Sequence, residues 1–270
     1  MSILQDKVVL ITGSSQGIGR QMALEAAKKG AKIVLNARKV EKLEQTKALL
    51  ESQGAQVLAV AGDVAVPDDC ARLVEAAVQH FGRLDVLINN AGIGTQFPLE
   101  QIQPHVLRQI VDINLNGSMY CTYYALPHLK NSRGSILFIG SIAGIHGIPH
   151  SNVYSATKMA LIALAESLRL ETHRYGIHIG LAYVGFTQND PDKQFIRPDG
   201  SAMTRPDRNQ GMVEPVDKVA KGLIQMIEKR QHKRVFSKLG WTLYWLNRIS
   251  PNLVSWLLQQ NLHRFQIPNP

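Results

Sequence analysis

The 270-residue chain holds two cysteines, Cys70 and Cys121. Two thiols build neither a disulfide framework nor a four-ligand zinc site. No CxxC or HExxH pattern and no Cys/His cluster is present, which argues against a metal enzyme. Charged residues make up only 19% and apolar ones 45%, which excludes an intrinsically disordered chain. The first residues carry no basic stretch followed by an apolar one, so a secretory signal is not expected. The expectation is a reduced, cytoplasmic chain.

Acid is nearly absent from the last fifth of the chain. From Lys221 onward eight basic residues face a single acid, Glu228, so this segment holds +7 of the net +9 and the first 220 residues hold +2. That asymmetry points to an anionic partner for the tail. It does not describe a nucleic-acid binder, which needs stacking aromatics interleaved with the basic residues on a reading element.

What is present is alternation. Residues 7–12 form a short apolar run rich in β-branched side chains and end in glycines, the pattern of a buried strand and a tight turn. Residues 18–29 then read as a helix closed by Gly30. Further strands are expected at 32–35, 56–61, 84–88, 134–139 and 177–182, and helices at 40–53, 67–81, 104–130, 152–175 and 215–229. Gly117 and Pro127 mark weak points in the long 104–130 helix. Continuous apolar strands separated by amphipathic helices imply a doubly wound parallel sheet with helices on both faces, a Rossmann-type α/β fold. Residues 1–235 are expected to form one dinucleotide-binding catalytic domain. Its stretch at about 186–212 shows no period and is too long for an ordinary connection, so it reads as a substrate loop.

The turn Thr12-Gly13-Ser14-Ser15-Gln16-Gly17-Ile18-Gly19 joins the first strand to the first helix. Glycine at 13 permits the sharp turn, at 17 the approach of a pyrophosphate, and at 19 close packing of helix on sheet. Ser15, Gln16 and Ile18 line the same turn, ahead of a helix N-terminus that attracts phosphate. The acid that would hold an adenosine ribose is missing after the second strand, which ends Asn36-Ala37-Arg38-Lys39. With no carboxylate at that strand end to repel a 2′-phosphate and Arg38 present to pair with one, NADP(H) is favoured over NAD(H).

Tyr154 and Lys158 stand four apart in a predicted helix, hence on one face. An ammonium beside a phenol stabilises the phenolate and so permits proton transfer near neutral pH. Ser141, at the end of the preceding strand, offers a hydroxyl to a substrate carbonyl. His146 and His150, between Ser141 and Tyr154, read as loop histidines more readily than as auxiliary acid–base groups. Ile93, Gly94, Phe97, Ile145 and Ile148 give this region an apolar wall.

Taken together, Thr12-Gly13 with Gly17-Ile18-Gly19, Asp63-Val64, Asn89-Asn90-Ala91-Gly92, Asn114, Ser141, and Tyr154 with Lys158 resemble the classical short-chain dehydrogenase/reductase family over roughly residues 5–230. The resemblance implies that Tyr154 is the general acid in reduction and the base in oxidation. Lys158 would tune it and bond the nicotinamide ribose, Ser141 would orient the carbonyl, and Asn114 would hold a water between Lys158 and solvent. Asp63 and Val64 would flank the adenine, while Asn90, Ala91 and Gly92 would line the cofactor cleft. Val184 and Thr187 would meet the nicotinamide. Here the sequence departs from the family, reading Tyr183-Val184-Gly185-Phe186-Thr187 where Pro-Gly is usual. A homodimer or homotetramer is implied by the same resemblance.

The expected activity is the interconversion of a ketone and a secondary alcohol on an apolar, lipid- or steroid-like substrate. The alternatives are a 3-oxoacyl-carrier-protein reductase and a non-catalytic dinucleotide-binding scaffold. Residues 236–270 read as an amphipathic helical extension that carries all three tryptophans, with pieces too short to span a bilayer. Peripheral membrane contact and packing on a subunit or on the substrate cleft both fit that pattern.

Overall fold

The computed structural model describes residues 2–188, 194–204 and 213–265. Strand β1 (Val8–Ile11) is buried at every position: Val8 and Leu10 enter one core, Val9 and Ile11 the other. A strand apolar on both sides must be covered on both sides, and the following elements do this in turn. They are α1 (Gly17–Ala27), β2 (Lys32–Ala37), α2 (Val40–Glu51), β3 (Val57–Ala61), α3 (Pro67–Phe81), β4 (Val86–Asn89), α4 (Pro104–Val111), α5 (Gly117–Ser132), β5 (Ser135–Ser141), α6 (Asn152–Thr172) and β6 (His178–Val184). After these come β7 (Gln194–Ile196), β8 (Ala202–Thr204), α7 (Val216–Glu228), β9 (Lys233–Val235), α8 (Lys238–Ile249) and α9 (Pro251–Gln260).

Seven strands pair in the order β3-β2-β1-β4-β5-β6-β9, every pair parallel. Residues of α1, α2 and α7 pack into the core on one face; α3, α5 and α6 supply the other. Each fully buried Val, Leu or Ile side chain contributes roughly 1.5–3 kcal/mol. The strand order reverses between β1 and β4, and the crevice above their C-terminal ends is where such a sheet receives a ligand.

One local expectation is corrected and two features are added. Neither Gly117 nor Pro127 breaks the long helix. The irregularity is a wide π-type turn at Asp112–Asn116, and α5 runs on through Pro127. Gly117 is required for close packing: a Cβ there would lie 2.8 Å from Val64 Cγ2 and 2.9 Å from the Val64 carbonyl. The seventh strand, β9, was not foreseen. It is three residues long and begins with two basic ones, as a partly exposed sheet edge tolerates. Within the aperiodic stretch, the described residues form an antiparallel β7–β8 hairpin; the rest of the expected 186–212 loop lies outside the described residues.

Candidate active site

The cradle is assembled by hydrogen bonds between two strand-end turns. Thr12 Oγ1 accepts from the backbone N–H groups of Asn90 and Ala91, each at 3.0 Å. Asn90 Nδ2 returns bonds to the carbonyls of Thr12 at 2.8 Å and Gly13 at 2.9 Å. Ser14 ties the turn to β2, its N–H bonding the Asn36 carbonyl at 2.9 Å. Ser15 presents its carbonyl to Thr46 Oγ1. Gly13 and Gly17 hold φ of +62° and +56°, values a residue with a Cβ adopts only at a cost.

At Gly19 a Cβ would meet the Gly13 carbonyl at 2.4 Å, whereas at Gly17 nothing lies within 4 Å. Gln16 gives α1 no side-chain cap, and the first turn of α1 has no acid. Space is open where a Gly17 Cβ would lie, and no acid in the first turn opposes a phosphate at the positive end of α1. The residues present fit a dinucleotide.

Arg38 follows β2, and its Nη1 lies 3.4 Å from Asp63 Oδ2. Asp63 also accepts from Ala65 N–H at 3.0 Å, and its own N–H donates to Asp69 Oδ2 at 2.7 Å. That last bond holds the Asp69 carboxyl below its ordinary range. The end of β2 itself carries no carboxylate, but one from another segment stands beside Arg38. The acid comes from the turn after β3, brought alongside by strand pairing.

Tyr154 and Lys158 both stand on α6. Lys158 is 5% exposed, and its Nζ donates to the Ile139 carbonyl at 2.8 Å and lies 5.7 Å from the Tyr154 ring centre. Asn114, fully buried in the π-type turn, accepts from Ile93 N–H at 2.8 Å. Its amide donates to the Ile93 carbonyl at 2.9 Å and to Thr157 Oγ1 at 3.2 Å. The turn after β4 measures the convergence. A Cβ on Gly92 would lie 3.3 Å from Asn114 Oδ1 and 3.7 Å from Lys158 Nζ; one on Gly94 would lie 3.5 Å from Tyr154 Cδ2 and 3.9 Å from Phe195 Cε1.

Ser141 closes β5 directly opposite Val184 in β6. Its Oγ accepts from Ala143 N–H at 3.2 Å, and a hydroxyl so engaged still has a proton to donate. Thr187 is buried and donates to the Gly185 carbonyl at 3.4 Å. The neighbouring phenol Tyr183 is a poor proton carrier, because burial pushes it up to about 12.

Thr12, named in the turn but given no role there, braces the cradle, and sequence reasoning missed three contributors: Thr157, which braces Asn114; Phe195, which lies with Tyr154 beside Gly94; and Asn247. Asn247 Nδ2 donates to the Ile145 carbonyl at 2.9 Å and its Oδ1 meets His146 Nδ1 at 2.8 Å. The other ring nitrogen of His146 bonds Ser255 Oγ at 3.2 Å. His146 is therefore a clasp between the Ser141–Tyr154 loop and helices α8 and α9. Gly240 of α8 reinforces it, since a Cβ there would come within 2.6 Å of Ile142 Cγ2. Asn247→Ala strands partly buried polar groups and is expected to cost about 1–3 kcal/mol. Each kcal/mol lowers the thermal midpoint by about 2–4 °C in a chain of this size. Thermal unfolding followed by circular dichroism checks this.

A family model described as short chain dehydrogenase matches residues 7–198. The chain belongs to the short-chain dehydrogenase family. It is an oxidoreductase of that family, and its site fits a nicotinamide dinucleotide. Among similar proteins, an "11-beta-hydroxysteroid dehydrogenase-like 2" of Arabidopsis thaliana is 37% identical over 256 residues, covering 93% of this chain and 80% of the relative. An "11-beta-hydroxysteroid dehydrogenase A" of Arachis hypogaea is also 37% identical, over 93% of this chain and 74% of the relative. The crystal structure of a short chain dehydrogenase/reductase from Burkholderia phymatum in complex with NAD superposes with a TM-score of 0.82 at 22% identity, covering 94% of this chain and 96% of that one. An alcohol dehydrogenase from the archaeon Thermococcus sibiricus, complexed with 5-hydroxy-NADP, superposes at 0.76 with 25% identity, over 87% and 98%. Among the described residues no group of His, Cys, Asp and Glu is arranged to hold a metal ion, and no helix is long and apolar enough to cross a membrane.

Proposed function

We propose that this short-chain dehydrogenase interconverts a ketone and a secondary alcohol on an apolar, steroid-like substrate, with NADP(H) as cofactor and Tyr154 as acid and base. The observation that carries the reading is the convergence of Tyr154, Lys158 and Asn114 on the Gly92–Gly94 turn, at the mouth of the cradle.

When bound, the nicotinamide dinucleotide supplies or accepts the hydride. In the reductive direction Tyr154 donates its phenolic proton to the carbonyl oxygen, and Ser141 donates a hydrogen bond to the same oxygen. The Lys158 ammonium stabilises the phenolate left behind. The Asn114 amide is spent on Ile93 and Thr157. A water linking Lys158 to solvent would therefore rest on Asn114 as a donor to one of its oxygens, since the amide N–H groups are taken.

The substrate class is supported by Phe195, which lies with Tyr154 beside Gly94, and by the names of the relatives. The cofactor preference rests on Arg38. Its pairing with Asp63 is between half-exposed groups and is worth at most about 1 kcal/mol, so a 2′-phosphate can compete for the guanidinium. Arg38→Ala is expected to weaken NADPH binding by about tenfold or more, the value of a charge-assisted bond pair, and to leave NADH binding nearly unchanged. Fluorescence titration of both cofactors tests this, and equal losses would remove the case for NADP(H). Assembly into a homodimer or homotetramer belongs to the same reading, with Met119 and Tyr123 of α5 exposed for contact.

A further inference from the structure

The two C-terminal helices turn one side toward the body and leave the other uncovered. Gly240, Tyr244, Asn247 and Val254 face inward, toward Ile142, Tyr183, His146 and the core. The outward stripe of α8 runs Lys238, Trp241, Trp245, Arg248 and Ile249, at the three- and four-residue spacing of one helical face. Leu253, Trp256 and Leu257 extend it along α9. Trp241 is 60% exposed, Trp256 54% and Ile249 80%. Such large apolar side chains grouped on one surface mark a contact site.

We propose that this face docks on an anionic lipid bilayer, with the indoles at headgroup depth and Lys238 and Arg248 on the phosphates. Charge selects the occupant. No Asp or Glu follows Glu228, and seven basic residues do. Among the described residues Lys238 and Arg248 have no carboxylate partner; Arg248 instead covers the Tyr244 ring at 4.8 Å. A second copy packed through this same face would bring like charges together with no acid to pair them, whereas an anionic surface complements them. Tryptophan with lysine and arginine on short amphipathic helices suits the interface, and neither helix is long enough to span it. Through the His146 clasp, docking would set the Ser141–Tyr154 loop close to the bilayer. That consequence rests on the proposed function; the docking itself does not.

All three tryptophans of the chain lie on this face, so their emission reports docking without any label and without turnover. The full-length protein is mixed with vesicles of phosphatidylcholine, with or without phosphatidylglycerol, and followed by co-sedimentation and tryptophan emission. The expected result is a blue shift and partition at least about tenfold stronger into the anionic vesicles, weakening as salt is raised. Two surface variants, W241S/W245S/W256S and K238E/R248E, should each lower co-sedimentation by about tenfold. The charge-reversed pair keeps the apolar packing, so the test survives if the first variant folds poorly. Equal partition into both vesicle types, or none, overturns the proposal. So does an emission shift that tracks protein concentration without lipid and accompanies a doubled mass, which would make the face a contact between copies. Any of these results leaves the assignment of the reaction intact, because no step of the assay uses it.

Discussion

Tyr154→Phe is expected to lower kcat by about 10²–10⁴-fold, the usual worth of a positioned general acid or base, while the affinity for the dinucleotide changes by less than about twofold. The substitution removes one hydroxyl and keeps the ring, so the contacts of the ring edge with the Gly94 turn and with Phe195 beyond it persist. Lys158 also keeps its bond to the Ile139 carbonyl. Steady-state rates beside a fluorescence titration of cofactor separate the two effects. A variant that turns over at the native rate would remove Tyr154 from the chemistry.

Gly19→Ala is expected to act on binding instead. Its methyl would lie 2.4 Å from the Gly13 carbonyl, 2.6 Å from Asn90 Nδ2 and 2.9 Å from Ser14 Cα. Two of these atoms are backbone and the third is held by two hydrogen bonds, so no flexible end can swing away. The turn must move, and overpacking of this kind costs about 1–3 kcal/mol. If the displaced turn shows that cost in cofactor affinity, Kd rises by about 5- to 150-fold. Gly17→Ala is the comparison. It meets no atom within 4 Å but holds φ at +56°, so its penalty is the roughly 1–2 kcal/mol of a left-handed residue. Titrations of both variants check the pair. A Gly19→Ala protein with native affinity would show that the turn is not the cradle.

What the sequence made legible is what is local. The glycine turn is contained within eight residues, and its strand and helix flank it directly. Tyr154 and Lys158 sit one helical turn apart, so their meeting needs only the helix. The alternation of apolar runs and amphipathic segments was enough for the doubly wound sheet. Contacts made by distant segments were not legible. Arg38 and Asp63 are 25 residues apart and meet only because β2 and β3 pair in register. His146 and Asn247 are 101 apart and meet because α8 folds back over the site. Phe195 stands in a stretch with no period, and its position follows from a two-stranded hairpin with only three residues per strand. The π-type turn that holds Asn114 leaves little compositional mark, because its five residues include no proline or glycine. Gly117, read as a weakness in the helix, is instead where α5 approaches Val64.

This chain is expected to move a hydride between a nicotinamide dinucleotide and a carbonyl carbon. The direct test is to give the full-length protein NADPH deuterated at the transferable position together with an 11-keto steroid, and to examine the product by mass spectrometry. The expected product is a secondary alcohol carrying one deuterium on the former carbonyl carbon, formed by the native protein and lost in Tyr154→Phe. An alcohol without deuterium, or one formed equally by the Tyr154→Phe protein, would contradict it.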